Sequence, residues 1–204
     1  MALVYKMAEK RIKLIVGLGN PGSQYEATRH NVGHRFVDTL AARNGGQFRA
    51  ENKFQGLLCR FLLAGQDLRL LKPMTFMNRS GQSVATVVRY FDLPPEQLLI
   101  AHDELDLPAG TLRLKQGGRH AGHNGLRDII AALGSRDFWR LRIGIDHPED
   151  RAQTVNYVLG RASRDDEDRI QDALNLAESC LSEAIAGEFQ RAMNRLHSGP
   201  ATGG

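Results

Sequence analysis

The spacing of apolar runs constrains this sequence most. IKLIVGL (residues 12–18) and QLLIAHDEL (97–105) are short, nearly unbroken apolar segments, the pattern of buried strands. FQGLLCRFLLAGQDLRLLKP (54–73) reads as two strands joined by a turn at 64–67. TLRLKQ (111–116) alternates like a half-exposed strand, and FWRLRIGI (138–145) is a further strand. Helical stripes fall between them. Val32, Phe36, Val37, Leu40 and Ala41 mark a helix over 31–43, and Val84, Val87, Val88 and Phe91 mark one over 76–91. LRDIIAAL (126–133) is another. Ile170, Leu174, Leu181 and Ile185 lie on one stripe across 165–186, and Phe189, Met193 and Leu196 mark a short last helix. Strands that alternate with helices, plus one hairpin, predict an α/β fold: a single three-layer domain with a mixed β-sheet flanked by helices. With 204 residues and 42% hydrophobic content, the chain can bury one sizeable core. The domain is expected over 11–197, with flexible ends at 1–10 and 198–204.

Other features bound the class of function. The two cysteines, Cys59 and Cys180, are far apart and form no C-x-x-C pattern, which suits a reducing cytoplasm. No apolar run approaches the ~20 residues needed to span a bilayer. The start, MALVYKMAEKRIK, carries charges where a signal peptide needs its apolar region. A net charge of +4 permits contact with a polyanion without requiring it.

Gly17-Leu18-Gly19-Asn20-Pro21-Gly22 is a literal G-x-G-x-x-G after an apolar run, with Asp38 about twenty residues on. A dinucleotide turn needs its helix to begin inside the glycines, facing the pyrophosphate. Here Pro21 pushes Asn20 toward extended backbone, SQYEATRH shows no apolar stripe, and the helix begins only near Asn31. Asp38 then falls inside that helix. The stretch reads instead as a long loop carrying Asn20, Tyr25 and His30 over the sheet rim, where ligands of open α/β sheets gather.

His30 stands out among seven histidines because it falls at a loop–helix junction on the same rim as Asp103. A histidine near its intrinsic pKa of ~6.5 accepts a proton at cellular pH, and a carboxylate behind it fixes the tautomer and stabilises the imidazolium. HDELD (102–106) could alternatively join His120 and His123 around a metal, although H-x-x-H in a glycine-rich loop is not the helical pair of the zinc peptidases. Otherwise Glu104 and Asp106 read as a solvated turn. Ser80 and Ser83 lack a G-x-S-x-G elbow and read as capping or surface residues. Asn20, Asn78 and Asn124 each fit turn or cap chemistry singly. Together they would present neutral amides that pair with any peptide backbone or donate to an oxyanion. Arg113 and Lys115 share one strand face, as do Arg140 and Arg142. With Arg119 they are either a solvated face or a set of phosphate contacts.

These pieces resemble the bacterial peptidyl-tRNA hydrolase family. The resemblance covers residues 13–196 and rests on VGLGNPGSQYEATRHN, KPMTFMNRSG, AHDELDLPAG, GHNGLRDI and RLRIGI, in that order. It implies an esterase that cleaves between the peptide's terminal carbonyl and the tRNA 3′-ribose. His30 matches the catalytic base that activates water, and Asp103 the carboxylate that holds it. Asn20 and Asn78 match asparagines that position substrate and water, and Asn124 a third that binds substrate. Tyr25, Met77 and His123 match cleft-lining residues. Lys115 and Arg142 match the pair that clamps the tRNA 5′-phosphate. The family implies a cytoplasmic monomer with no metal, no cofactor and no membrane partner; its partner is peptidyl-tRNA. The chain departs from many relatives at Arg119 and Ala121 in the glycine-rich loop, and at Asp146 and Glu149. Two other classes compete: a non-catalytic RNA-binding relative, and a metal-dependent hydrolase built on HDELD with His120 or His123.

Overall fold

The computed structural model describes residues 11–198. The expected flexible ends lie outside them, except for Ser198, whose N–H and hydroxyl both donate to the Asn194 carbonyl. The strands are β1 (Leu14–Gly17), β2 (Arg49–Glu51), β3 (Gly56–Leu63), β4 (Gln66–Pro73), β5 (Leu98–Glu104), β6 (Leu112–Gln116) and β7 (Trp139–Gly144). They form one sheet in the order β2-β3-β4-β1-β5-β7-β6. β1 pairs in parallel with β4 and β5, and β5 pairs in parallel with β7. The β2–β3, β3–β4 and β6–β7 pairs are antiparallel, so the sheet is mixed, as the sequence predicts.

The unbroken apolar runs follow from burial on both sheet faces. Ile15, Leu99 and Ala101 face a core shared with α1 (Val32–Arg43), α5 (Arg164–Ser179), α6 (Leu181–Ala186) and α7 (Phe189–His197). Leu14, Val16, Leu98 and Ile100 face the other core, shared with α2 (Ser80–Tyr90) and α3 (Asn124–Leu133). A short helix, α4 (Thr154–Val158), follows β7. The expected helix over 165–186 is interrupted at Cys180, whose ψ of −4° lies far from the helical value. The apolar stripe runs across that break and therefore hides it. β2 and α4 escape the sequence reading because each is short and largely exposed.

Two glycines bring α1 against the central strands. A Cβ on Gly33 would stand 2.4 Å from the Ala101 carbonyl oxygen, and one on Gly17 would stand 2.2 Å from that of Gly33. This close approach sets the residues just before α1 beside the C-terminal ends of β1 and β5. Residues 21–27 contain no helix, so the G-x-G-x-x-G stretch does not form a dinucleotide turn. Asp38 lies within α1, where its carboxylate pairs with Lys72.

Candidate active site

A cleft of about 1150 Å³ opens over the C-terminal ends of the parallel strands. The ten residues that the resemblance assigns to the site all line it. Asn20 follows β1, Tyr25 lies in the loop beyond, and His30 sits in a single 3-10 turn (Arg29–Asn31) before α1. Met77 and Asn78 come from the 3-10 turn Met77–Arg79 before α2, and Asp103 from β5. His123 caps α3, Asn124 begins it, and Lys115 and Arg142 project from β6 and β7.

Asp103 is buried and is the hub of the site. His30 Nδ1 lies 2.9 Å from both of its carboxylate oxygens, and His123 Nε2 lies 3.0 Å from Oδ1. A carboxylate can only accept, so both histidines donate to it. His123 Nδ1 in turn accepts the Leu126 N–H at 3.3 Å, which fixes its tautomer. His30 therefore carries its proton on Nδ1, and its Nε2 lone pair has no protein partner among the described residues. Burial alone would lower the His30 pKa. The Asp103 charge and hydrogen bond outweigh it and raise the value above 6.5. Burial pushes the Asp103 carboxyl up, but His30 and His123 hold it well below the usual carboxylate range.

The asparagines differ in role. Asn20 is buried, and its Oδ1 accepts the Met77 N–H at 2.8 Å. That bond orients the amide, so its NH₂ group is the end left for a ligand. Asn78 and Asn124 are exposed, and Asn124 Oδ1 accepts from Arg127. The His30 lone pair can accept from a water held against a carbonyl, and these amides can donate to the oxyanion that forms.

Several readings are corrected. Ser80 and Ser83 are not surface residues: both are buried, and the Ser80 hydroxyl donates to the Met77 carbonyl. Glu104 is not a solvated turn; it ends β5, is buried, and accepts from Arg142 Nε at 2.8 Å. Arg140 shares a strand face with Arg142, as alternation predicts, but it is not solvated. Its guanidinium is buried and donates to the carbonyls of Gly118 (2.6 Å) and Arg119 (2.7 Å), tying the glycine-rich loop to the sheet. Of the HDELD metal group, Asp103 and His123 come together, whereas Glu104 and His120 do not join them. Glu104 faces Arg142, and His120 Nδ1 accepts the Gly122 N–H. The one cluster of metal-type ligands among the described residues is His30, Asp103 and His123, already joined by hydrogen bonds.

Sequence reasoning missed Asn31, which is buried behind His30, and His102, whose Nδ1–H donates to the Asp103 carbonyl at 2.7 Å. It also missed Val155 and Leu159, exposed apolar residues in the cleft wall at α4. Asn31 and His102 lie within the motifs that carry the resemblance, whereas Val155 and Leu159 carry no local signal.

The family model described as peptidyl-tRNA hydrolase matches residues 14–202. The peptidyl-tRNA hydrolase of Azotobacter vinelandii is 51% identical over 188 residues, covering 92% of this chain and 97% of that protein. That of Halorhodospira halophila is 50% identical over 190 residues, covering 93% and 98%. A crystal structure of the Acinetobacter baumannii peptidyl-tRNA hydrolase superposes with a TM-score of 0.91 at 46% identity, covering 93% of this chain and 96% of that one.

Proposed function

This chain belongs to the peptidyl-tRNA hydrolase family, and from that premise we propose how its cleft hydrolyses peptidyl-tRNA. His30 Nε2 takes a proton from water, and Asp103 stabilises the imidazolium through Nδ1. The hydroxide attacks the ester carbonyl that joins the peptide to the tRNA 3′-ribose. The Asn20 amide donates to the tetrahedral oxyanion, with Asn78 and Asn124 placing substrate and water. Collapse expels the ribose oxygen, which takes its proton from His30. Free peptide and tRNA leave.

The observation that carries this reading is the His30 Nδ1–Asp103 contact at 2.9 Å, which leaves the opposite ring nitrogen without a protein partner among the described residues. Tyr25, Met77 and His123 line the peptide side. Neutral amides suit a substrate whose peptide sequence varies. Lys115 and Arg142 hold the tRNA 5′-phosphate. No described helix is long and apolar enough to cross a membrane. Both cysteines are free and buried, which supports a cytoplasmic setting, and we read the protein as a monomer.

The test is release of the acyl group from an N-blocked aminoacyl-tRNA by purified protein in excess EDTA. Rapid release is expected. Release only on addition of divalent ions would favour a metal-dependent hydrolase, and tRNA binding without release would favour a non-catalytic RNA-binding relative. His30→Ala should abolish turnover while tRNA binding survives; turnover within about tenfold of the parent would remove His30 from the role of base.

A further inference from the structure

β6 and β7 carry a basic corner on one sheet face. Their register sets Lys115 opposite Arg140 and Arg113 opposite Arg142. Lys115 and Arg142 are therefore diagonal neighbours, roughly 7–8 Å apart at the backbone. The Lys115 ammonium and the Arg140 guanidinium both reach Gly118, each within 3.8 Å of where its Cβ would stand. Cations this close repel. Burial and then the Arg142 charge pull the Arg140 pKa down to about 10, while Glu104 acts the other way. Left alone, such a corner would scatter its flexible side chains into solvent.

Glu104 stands against that outcome. Its carboxylate is buried at the end of β5, where Oε2 accepts Arg142 Nε at 2.8 Å and Oε1 accepts the Asp106 N–H at 3.3 Å. The second bond fixes the carboxylate, and the first fixes the guanidinium plane. Arg142 then has two terminal nitrogens with no protein partner among the described residues, in the wall of the cleft. A guanidinium held at Nε presents its outer edge, the edge that matches two oxygens of one phosphate.

We propose that Glu104 is a specificity-determining positioning residue: it aims the Arg142 guanidinium so that, with Lys115, it recognises a terminal phosphate monoester of the tRNA rather than any backbone phosphate. The inference rests on the reading of Lys115 and Arg142 as the phosphate clamp. It also carries a sign. A carboxylate beside a phosphate repels it, so if Glu104 acted only through charge, its removal would strengthen phosphate recognition. If it acts by aiming Arg142, its removal weakens it.

The experiment compares kcat/KM for one N-blocked aminoacyl-tRNA carrying a 5′-phosphate with the same molecule dephosphorylated. The ratio of the two cancels losses common to both substrates. Relative to the parent, Glu104→Ala should lower this ratio about tenfold, the equivalent of one charge-assisted hydrogen bond. Glu104→Gln, which keeps an oxygen for Arg142 Nε and is the milder change for folding, should lower it about threefold. A ratio unchanged or raised in either variant overturns the proposal. Arg142→Ala separates the two levels. If it loses the preference while the Glu104 variants keep it, the clamp stands and the aiming role fails. If the parent itself shows no preference, both fail.

Discussion

Asn31 and Asn20 are joined in both directions. The Asn20 N–H donates to Asn31 Oδ1 at 2.8 Å, and Asn31 Nδ2 donates to the Asn20 carbonyl at 2.9 Å. One buried carboxamide thus acts as a strand would, pairing the loop after β1 with the turn that carries His30. Asn31→Ala leaves two backbone groups unpaired and should cost about 1–3 kcal/mol of stability, measured by urea unfolding. It should lower kcat more than it raises KM, because the amide and the base lose their mutual placement while the tRNA contacts remain. A kcat equal to the parent's would show that the pair serves folding alone.

With His30 as the proposed base, the His30–Asp103 pair would set the pH profile. The raised His30 pKa means that kcat/KM should climb with pH through a limb lying above 6.5. Asp103→Asn removes the group that raises it. Burial then dominates, so the limb should move to lower pH while kcat falls by at least about 100-fold. A limb that stays in place would assign the titration to another group.

Stability follows the opposite sign at His30. Its folded pKa lies above the unfolded value, so its contribution is fully present below about 6.5 and is lost as pH rises through the folded value. The protein therefore gives up this stabilisation over the interval in which it gains activity.

His34 and His102 act in the other direction. Burial foremost holds each pKa down to about 3, with Lys72 adding to the effect at His34 and His123 at His102. The unfolded chain binds these protons first, so stability should fall as pH drops below about 6.5, on the order of 2 kcal/mol per residue by pH 5. Thermal unfolding at pH 7.5 and pH 5 measures the loss. His34→Asn should flatten that dependence by about half, and an unaltered slope would show that carboxylates govern it.

Lys115 has no ion-pair or hydrogen-bond partner among the described residues and is exposed. Lys115→Ala should weaken tRNA binding and reduce the slope of log K against log salt by about one. Unchanged affinity with an unchanged slope would refute a phosphate contact there.

The sequence showed the frame and the chemistry more readily than the supports beneath them. Ile15, Leu99 and their neighbours read as strands because both sheet faces are covered, and Val84 and Val88 read as a helix because one face is. Asp103 was visible because a polar residue ending an apolar run falls on the sheet rim, and His30 because it stands at a loop–helix junction on that rim. Arg140 was not. Its alternation with Arg142 is that of a wet face, and only the returning loop, over twenty residues away, turns it into a buried anchor for two carbonyls. Glu104 was hidden for the same reason: its partner lies on another strand. Local pattern records which face a residue occupies, not what later folds over that face.

The order of the strands has a consequence for a chain made from its N-terminus. β6 precedes β7 in sequence but pairs only with it, at the outer edge of the sheet. Until residue 144 has been added, Lys115 has no strand to hold it and Arg142 has barely been made. The central strands, with His30 and Asp103, can be in place while the basic corner is still missing. Chain order therefore places His30 and Asp103 ahead of β7, so the residues proposed to hold phosphate are the last of the proposed site to gain a strand partner.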